Sequence, residues 1–222
     1  MVAAARRAGV PRVIHLSSAA VQGATETLDE TPRTAPFSPY SQSKAWAEEA
    51  LVSERITGTE GASPEIVIVR ATSVQGRGRP TTARLQRFAK SPLASVAAPG
   101  CAPTPVTSVG SLAEFIIAVG LHAGVVPPIV LQPWEGMTVS SVLVSAGGRA
   151  PRRLPRTVCR GLIKVGRVMS RLVGGRLTGP IRRVELMWFG QRQVEGWAAE
   201  VGLSPMRRVA DVLRHGSESG AA

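Results

Sequence analysis

Tyr40 and Lys44 stand four residues apart in Ser38-Pro39-Tyr40-Ser41-Gln42-Ser43-Lys44. On a helix that spacing puts both side chains on one face, one turn apart. A free phenol has a pKa near ~10 and is a poor base at neutral pH. An ammonium held beside a phenol stabilises the phenolate, and such a pair can pass protons near neutral pH. Ser17 and Ser18 lie upstream at the end of an apolar run, where a hydroxyl partner for the phenol would be wanted. Taken alone, a serine pair after a strand reads as a turn that caps the next segment. A single helical lysine reads as a solvated charge.

Those residues need a frame. Val2 to Ala8 reads as the end of a helix, stopped by Gly9 and Pro11. Arg12-Val13-Ile14-His15-Leu16 is short, apolar and β-branched, as a buried parallel strand is. Residues 24–39 are polar with three prolines and read as a long surface loop. A helix is expected from Pro39 to Glu54, with Ala45, Trp46, Ala50 and Leu51 on its apolar side. Glu65 to Arg70 is the second clear strand. Strand, helix and strand with a long crossover argue for an α/β parallel sheet. Residues 71–80 read as a loop, and Thr82 to Lys90 as a helix. Further helices are expected over Leu112–Val119 and Thr138–Ala146, with a strand over Pro128–Gln132.

Composition narrows the functional classes. The chain has 222 residues, 44% of them hydrophobic, which is enough for a core in one or two domains. The formal net charge is +12, carried almost wholly by arginine, since only Lys44, Lys90 and Lys164 are lysines. That bias matches GC-rich coding with no special partner; the alternative is an acidic partner. Specific nucleic-acid binding would rest on charge alone, because basic and aromatic residues do not interleave. Cys101 and Cys159 are too few for a disulfide framework, and a reducing cytoplasmic setting follows. The scattered His15, His122 and His215 point to no metal site. The apolar stretch Phe115–Leu131 is broken by glycines, a histidine and Pro127-Pro128 and should not span a membrane.

From about Pro151 the chain turns arginine-rich. Over 157–173 basic residues recur at spacings of four, three and four, and Val158, Leu162, Val165, Val168, Met169 and Leu172 fill much of the rest. This is a basic amphipathic helix. Residues 152–173 could make peripheral contact with an anionic membrane, or form an ordinary solvated helix. Residues 216–222 are small and polar and are expected to be disordered.

Taken in order, the motifs resemble the extended short-chain dehydrogenase/reductases of the NAD-dependent epimerase/dehydratase family. Val13 to Gly23 looks like that family's strand followed by Ser-Ser-x-x-Val-Tyr-Gly. Glu30-Thr31-Pro32 and Pro36 precede the Tyr-x-x-x-Lys at the usual place. Ile66 to Arg70 followed by Val74-Gln75-Gly76-Arg77-Gly78 looks like the next strand and Val-Tyr-Gly-Pro-Gly. The resemblance runs from Val10 to about Ala118. It implies a partial Rossmann-like parallel sheet over residues 1–95, and a smaller α/β C-terminal substrate domain over 96–222. It implies NAD or NADP as cofactor, a nucleotide sugar as substrate and a possible homodimer. Ser18 would orient the substrate hydroxyl, Tyr40 would be the acid/base, and Lys44 would hold the nicotinamide ribose. Ser17, Ala71 and Thr72 would stand beside the cofactor. The alternative is a truncated, non-catalytic homologue acting as a binding or membrane-surface module.

This chain departs from the pattern in places. Gln22 and Gln75 stand where tyrosine is usual, and Ala71 where proline is usual. Ser108 to Ala113 lacks the acids of Val-Asp-Asp-x-Ala. The Asp-Glu pair of the dehydratases is missing, which favours epimerase or dehydrogenase chemistry. No Gly-x-x-Gly-x-x-Gly occurs. By resemblance the chain opens at the helix before the fifth strand, two to three βαβ units of about 30 residues short. The expectation is a fragment, a truncated gene product, or a half completed by another polypeptide. The first strand would then show an open edge.

Overall fold

The computed structural model describes residues 1–57 and 64–215, so the expectation for residues 216–222 lies outside the described residues. In chain order the first half holds α1 (Val2–Arg7), β1 (Arg12–Ser18), β2 (Thr27–Leu28), α2 (Pro39–Thr57), β3 (Glu65–Ala71), β4 (Ser73–Gln75), α3 (Pro80–Lys90), β5 (Ser95–Ala97), β6 (Val106–Ser108) and α4 (Val109–Leu121). The second half holds β7 (Ile129–Leu131), α5 (Val139–Gly147), β8 (Arg152–Leu154), α6 (Arg156–Leu172), α7 (Thr178–Phe189), β9 (Arg192–Gln193), α8 (Gly196–Glu200) and α9 (Val209–His215).

β3 is the centre of the main sheet because its side chains are apolar on both faces. It pairs in parallel with β1 on one side and β7 on the other, giving the order β1-β3-β7. Val67, Val69 and Ala71 point into a cluster with Leu112, Phe115 and Val119 of α4. Ile66 and Ile68 point the other way, to Val2 of α1 and Leu51 of α2. A parallel strand sandwiched between helices must read as a near-continuous apolar run, as this one does. Burying each such side chain contributes about 1.5–3 kcal/mol. This is the α/β parallel architecture expected from the alternation of strands and helices.

β1 pairs only with β3 among the described residues, and its far edge is open. Leu16 is 40% exposed there. At the other end of the strand, Arg12 donates to the carbonyls of Val119, His122 and Gly124 and pairs with Glu65. It thereby satisfies free carbonyls at the C-terminus of α4.

A second packed region gathers α3, α5 and α9 around Ala89, Val142, Leu143 and Leu213, with Val96 of β5 and Val106 of β6. Residues beyond 95 also return to the first region, as β7 shows.

Three expectations are corrected. Residues 24–39 are not simply a surface loop: β2 pairs with β9, and Leu28 is buried. Residues 71–80 contain β4, which pairs with β6. The buried face of α2 also differs. Ser41, Ala45, Glu48 and Leu51 are buried, whereas Trp46 is 63% exposed and Ala50 is exposed. A glutamate therefore sits where an apolar residue was expected.

Candidate active site

The site is built where β1 and β3 end. Tyr40, Lys44 and Glu48 recur every fourth residue along α2, so they share a face. Glu48 accepts hydrogen bonds from Ser17 of β1 and from Nε and Nη2 of Arg70 of β3. Arg70 is fully buried, and its remaining amine donates to the Thr31 carbonyl. A buried ion pair persists only when its other polar atoms are satisfied, and here they are. The network fixes the rotation of α2 about its axis, and so fixes where Tyr40 and Lys44 point.

Lys44 donates from Nζ to the carbonyl of Leu16, 2.8 Å away, near the C-terminal end of β1. Tyr40 lies in the first turn of α2 and is 57% exposed. Its hydroxyl makes no hydrogen bond among the described residues. Ser18 caps a 3₁₀ turn over Ala19–Gln22: its oxygen accepts from the Ala20 N–H, which leaves its own proton free to donate. No Ser18–Tyr40 hydrogen bond is present among the described residues. Ser17 is buried against Glu48.

His15 of β1 feels the charges of both Lys44 and Glu48. Burial holds its pKa below the ordinary value of 6.5, the Lys44 charge pushes the same way, and Glu48 opposes both. Its Nε2 is buried without a partner among the described residues.

A cleft of about 630 Å³ opens beside Ser18. Ala71 and Thr72 line it, whereas Tyr40, Lys44 and Ser17 do not. Its walls are mainly apolar, from Leu28, Phe88, Val142 and Met187, with Arg84 and Arg183 as cations. Its size and lining suit a small organic ligand carrying negative charge. The Thr72 hydroxyl is buried with no partner among the described residues.

The motif departures have local explanations. The Gln22 side chain clasps Asp29 twice: its amide donates to Oδ1, and its carbonyl accepts from the Asp29 N–H. Burial raises the Asp29 pKa, but hydrogen bonds from Thr31 and Gln22 and the charge of Arg33 outweigh it, leaving the carboxyl below its ordinary 3.8. Gly23 follows at φ +67°, and a Cβ there would run into the Ala35 carbonyl. Glu30 accepts from the Leu131 and Trp197 N–H groups, tying its loop to β7 and α8. Ser108 caps α4, and Glu135 accepts from Ser108 and Ser111 where the family pattern has acids of its own.

Sequence reasoning missed Glu48, Arg70, Arg84 and Arg183. The first two had a usable signal: the Tyr40–Lys44 spacing continues to Glu48, and an arginine ends an otherwise apolar strand. The two cleft arginines had none, because only the tertiary fold brings α3 and α7 together.

The parallel sheet thus carries a tyrosine–lysine helix packed at the end of its edge strand β1. Residues 1–114 match the sequence model of the NAD dependent epimerase/dehydratase family. That is just over half of the chain, and the chain belongs to this family. No curated protein matches it. Among solved structures it is similar to UDP-glucuronic acid 4-epimerase from Bacillus cereus in complex with NAD, at 16% identity and a TM-score of 0.58. It is also similar to the aureusimine biosynthetic cluster reductase domain, at 15% identity and a TM-score of 0.60. Each likeness covers 96% of this chain and 62% of the other. The chain therefore spans less than two thirds of the length of these structures.

Proposed function

We propose that this chain carries the proton-transfer half of an NAD(P)-dependent epimerase or dehydrogenase acting on a nucleotide sugar. One observation supports this most strongly: Lys44 is anchored at the end of β1, one turn from an accessible Tyr40, beside a cleft that Ser18, Ala71 and Thr72 line.

In this reading the Ser18 hydroxyl donates to the substrate oxygen and holds it toward Tyr40. Lys44 stabilises Tyr40 as the phenolate, and that phenolate takes the proton from the substrate hydroxyl and becomes the phenol; Lys44 would also hold the nicotinamide ribose. Arg84 and Arg183 face the anionic part of the substrate. The unpaired Thr72 hydroxyl and the free face of Tyr40 fit the nicotinamide end of the cofactor, where Ala71 would lie against it. When bound, NAD or NADP supplies the acceptor and donor of hydride. The 222 residues contain no Gly-x-x-Gly-x-x-Gly for its pyrophosphate.

The test is turnover of UDP-glucuronic acid or UDP-glucose with NAD, followed by the absorbance of reduced nicotinamide and by sugar analysis. Tyr40→Phe should lower the rate by about 10²–10⁴-fold without altering the thermal midpoint. A rate unchanged by Tyr40→Phe would overturn the assignment. A chain that binds the sugar nucleotide and turns nothing over would be the non-catalytic binding module instead.

A further inference from the structure

We propose that α6 is a membrane-surface helix that lies on an anionic bilayer. Only a narrow stripe of it is used inside the protein: Cys159, Ile163 and Ser170 are buried, and Gly166 packs on Ile181 of α7. A second stripe, Val158, Leu162, Val165, Met169 and Leu172, repeats at spacings of four, three, four and three. It is exposed throughout, from 49% at Val158 to 82% at Leu172. Contiguous exposed apolar surface of this kind marks an interaction site.

Charge identifies the occupant. Arg160, Lys164 and Arg171 form an exposed strip beside the apolar stripe and make no ion pair among the described residues. Arg167 is held by Glu185. From residue 136 to residue 184 there are eleven arginines and lysines and no aspartate or glutamate. A second copy docked stripe to stripe would bring like charges together with no carboxylate on α6 to meet them. A nucleic acid would use the cations and leave the apolar stripe wet. An anionic bilayer satisfies both: the stripe sinks to the acyl boundary while the cations stay among the headgroups. The helix has 17 residues and therefore lies along the surface over about 25 Å. No helix among the described residues is long and apolar enough to cross a membrane. Because α6 rests on α7, which lines the cleft, the bilayer would lie one helix away from the candidate active site.

The experiment is co-sedimentation of the full chain with vesicles of phosphatidylcholine alone, or mixed equally with phosphatidylglycerol. Binding is expected to the mixed vesicles only and to weaken with salt. Leu162→Glu with Met169→Glu should lower it at least tenfold. Arg160→Glu with Lys164→Glu and Arg171→Glu should lower it by roughly a hundredfold or more. All five residues are exposed, so the variants should keep the wild-type circular dichroism. Absence of binding to the mixed vesicles would overturn the proposal, as would binding indifferent to the Leu162 and Met169 changes. So would a dimer in sedimentation velocity that those two changes dissociate, since a second copy would then cover the stripe.

Discussion

Tyr40 and Lys44 owe their orientation to Glu48, one turn further along α2, which Arg70 and Ser17 hold from beneath. Removing one partner of a buried ion pair leaves the other charge unmatched. Arg70→Ala is therefore expected to cost about 3–5 kcal/mol in chemical denaturation. Arg70→Met combined with Glu48→Leu should recover much of that loss, because a packed apolar pair avoids the desolvation of two charges. A double variant no more stable than Arg70→Ala would show that the pair is not the source of the stability. Titration follows from the same neighbourhood. The His15 pKa is depressed in the fold, so above 6.5 both folded and unfolded imidazoles are neutral and stability is full. As pH falls below 6.5 the unfolded chain takes up the proton first, and stability declines. Asp29 adds a second loss below 3.8, with the same sign. Thermal midpoints from pH 7 to 5 should fall in the wild type and flatten in His15→Gln. The tyrosine, lysine and serine were legible in sequence because the chemistry requires those types at that spacing. The arginine near the end of β3 was visible too, but its pairing with Glu48 was not, because the partner lies 22 residues upstream and only the crossover brings the two together.

At the scale of elements, long apolar runs, the strand β7 and the helices as far as α6 were legible, and the other short strands and α7 to α9 were not. β1 and β3 emerged because both carry sustained β-branched runs. β4, β5, β6 and β8 have three residues each, too few to show a period. Their pairing partners fix them instead. Trp46 misled because an aromatic on a helix is normally part of the buried face, yet here Glu48 takes that face. The turn after the 3₁₀ segment depends on Gly23, which has a positive φ and no room for a side chain. Gly23→Ala is expected to cost about 1–3 kcal/mol from the backbone alone. Its thermal midpoint should fall clearly below that of Gly78→Ala, another positive-φ glycine with open space around it.

For the molecule as a whole, the main sheet is well covered on its two faces and open along β1. The cleft beside Ser18 is present, and the 222 residues contain no Gly-x-x-Gly-x-x-Gly. Under the proposed function, Tyr40 would receive the nicotinamide end of the cofactor, and these residues offer no glycine-rich loop to its pyrophosphate. Tyr40 is the single tyrosine in the chain, so ring-labelled ¹³C-tyrosine gives one NMR signal from the site itself. Titration with NAD should move that signal with weak affinity. Nicotinamide mononucleotide, which lacks the adenylate half, should move it about as well, and Lys44→Met should weaken both. A signal that neither ligand moves would contradict the account, as would NAD binding far more tightly than the mononucleotide.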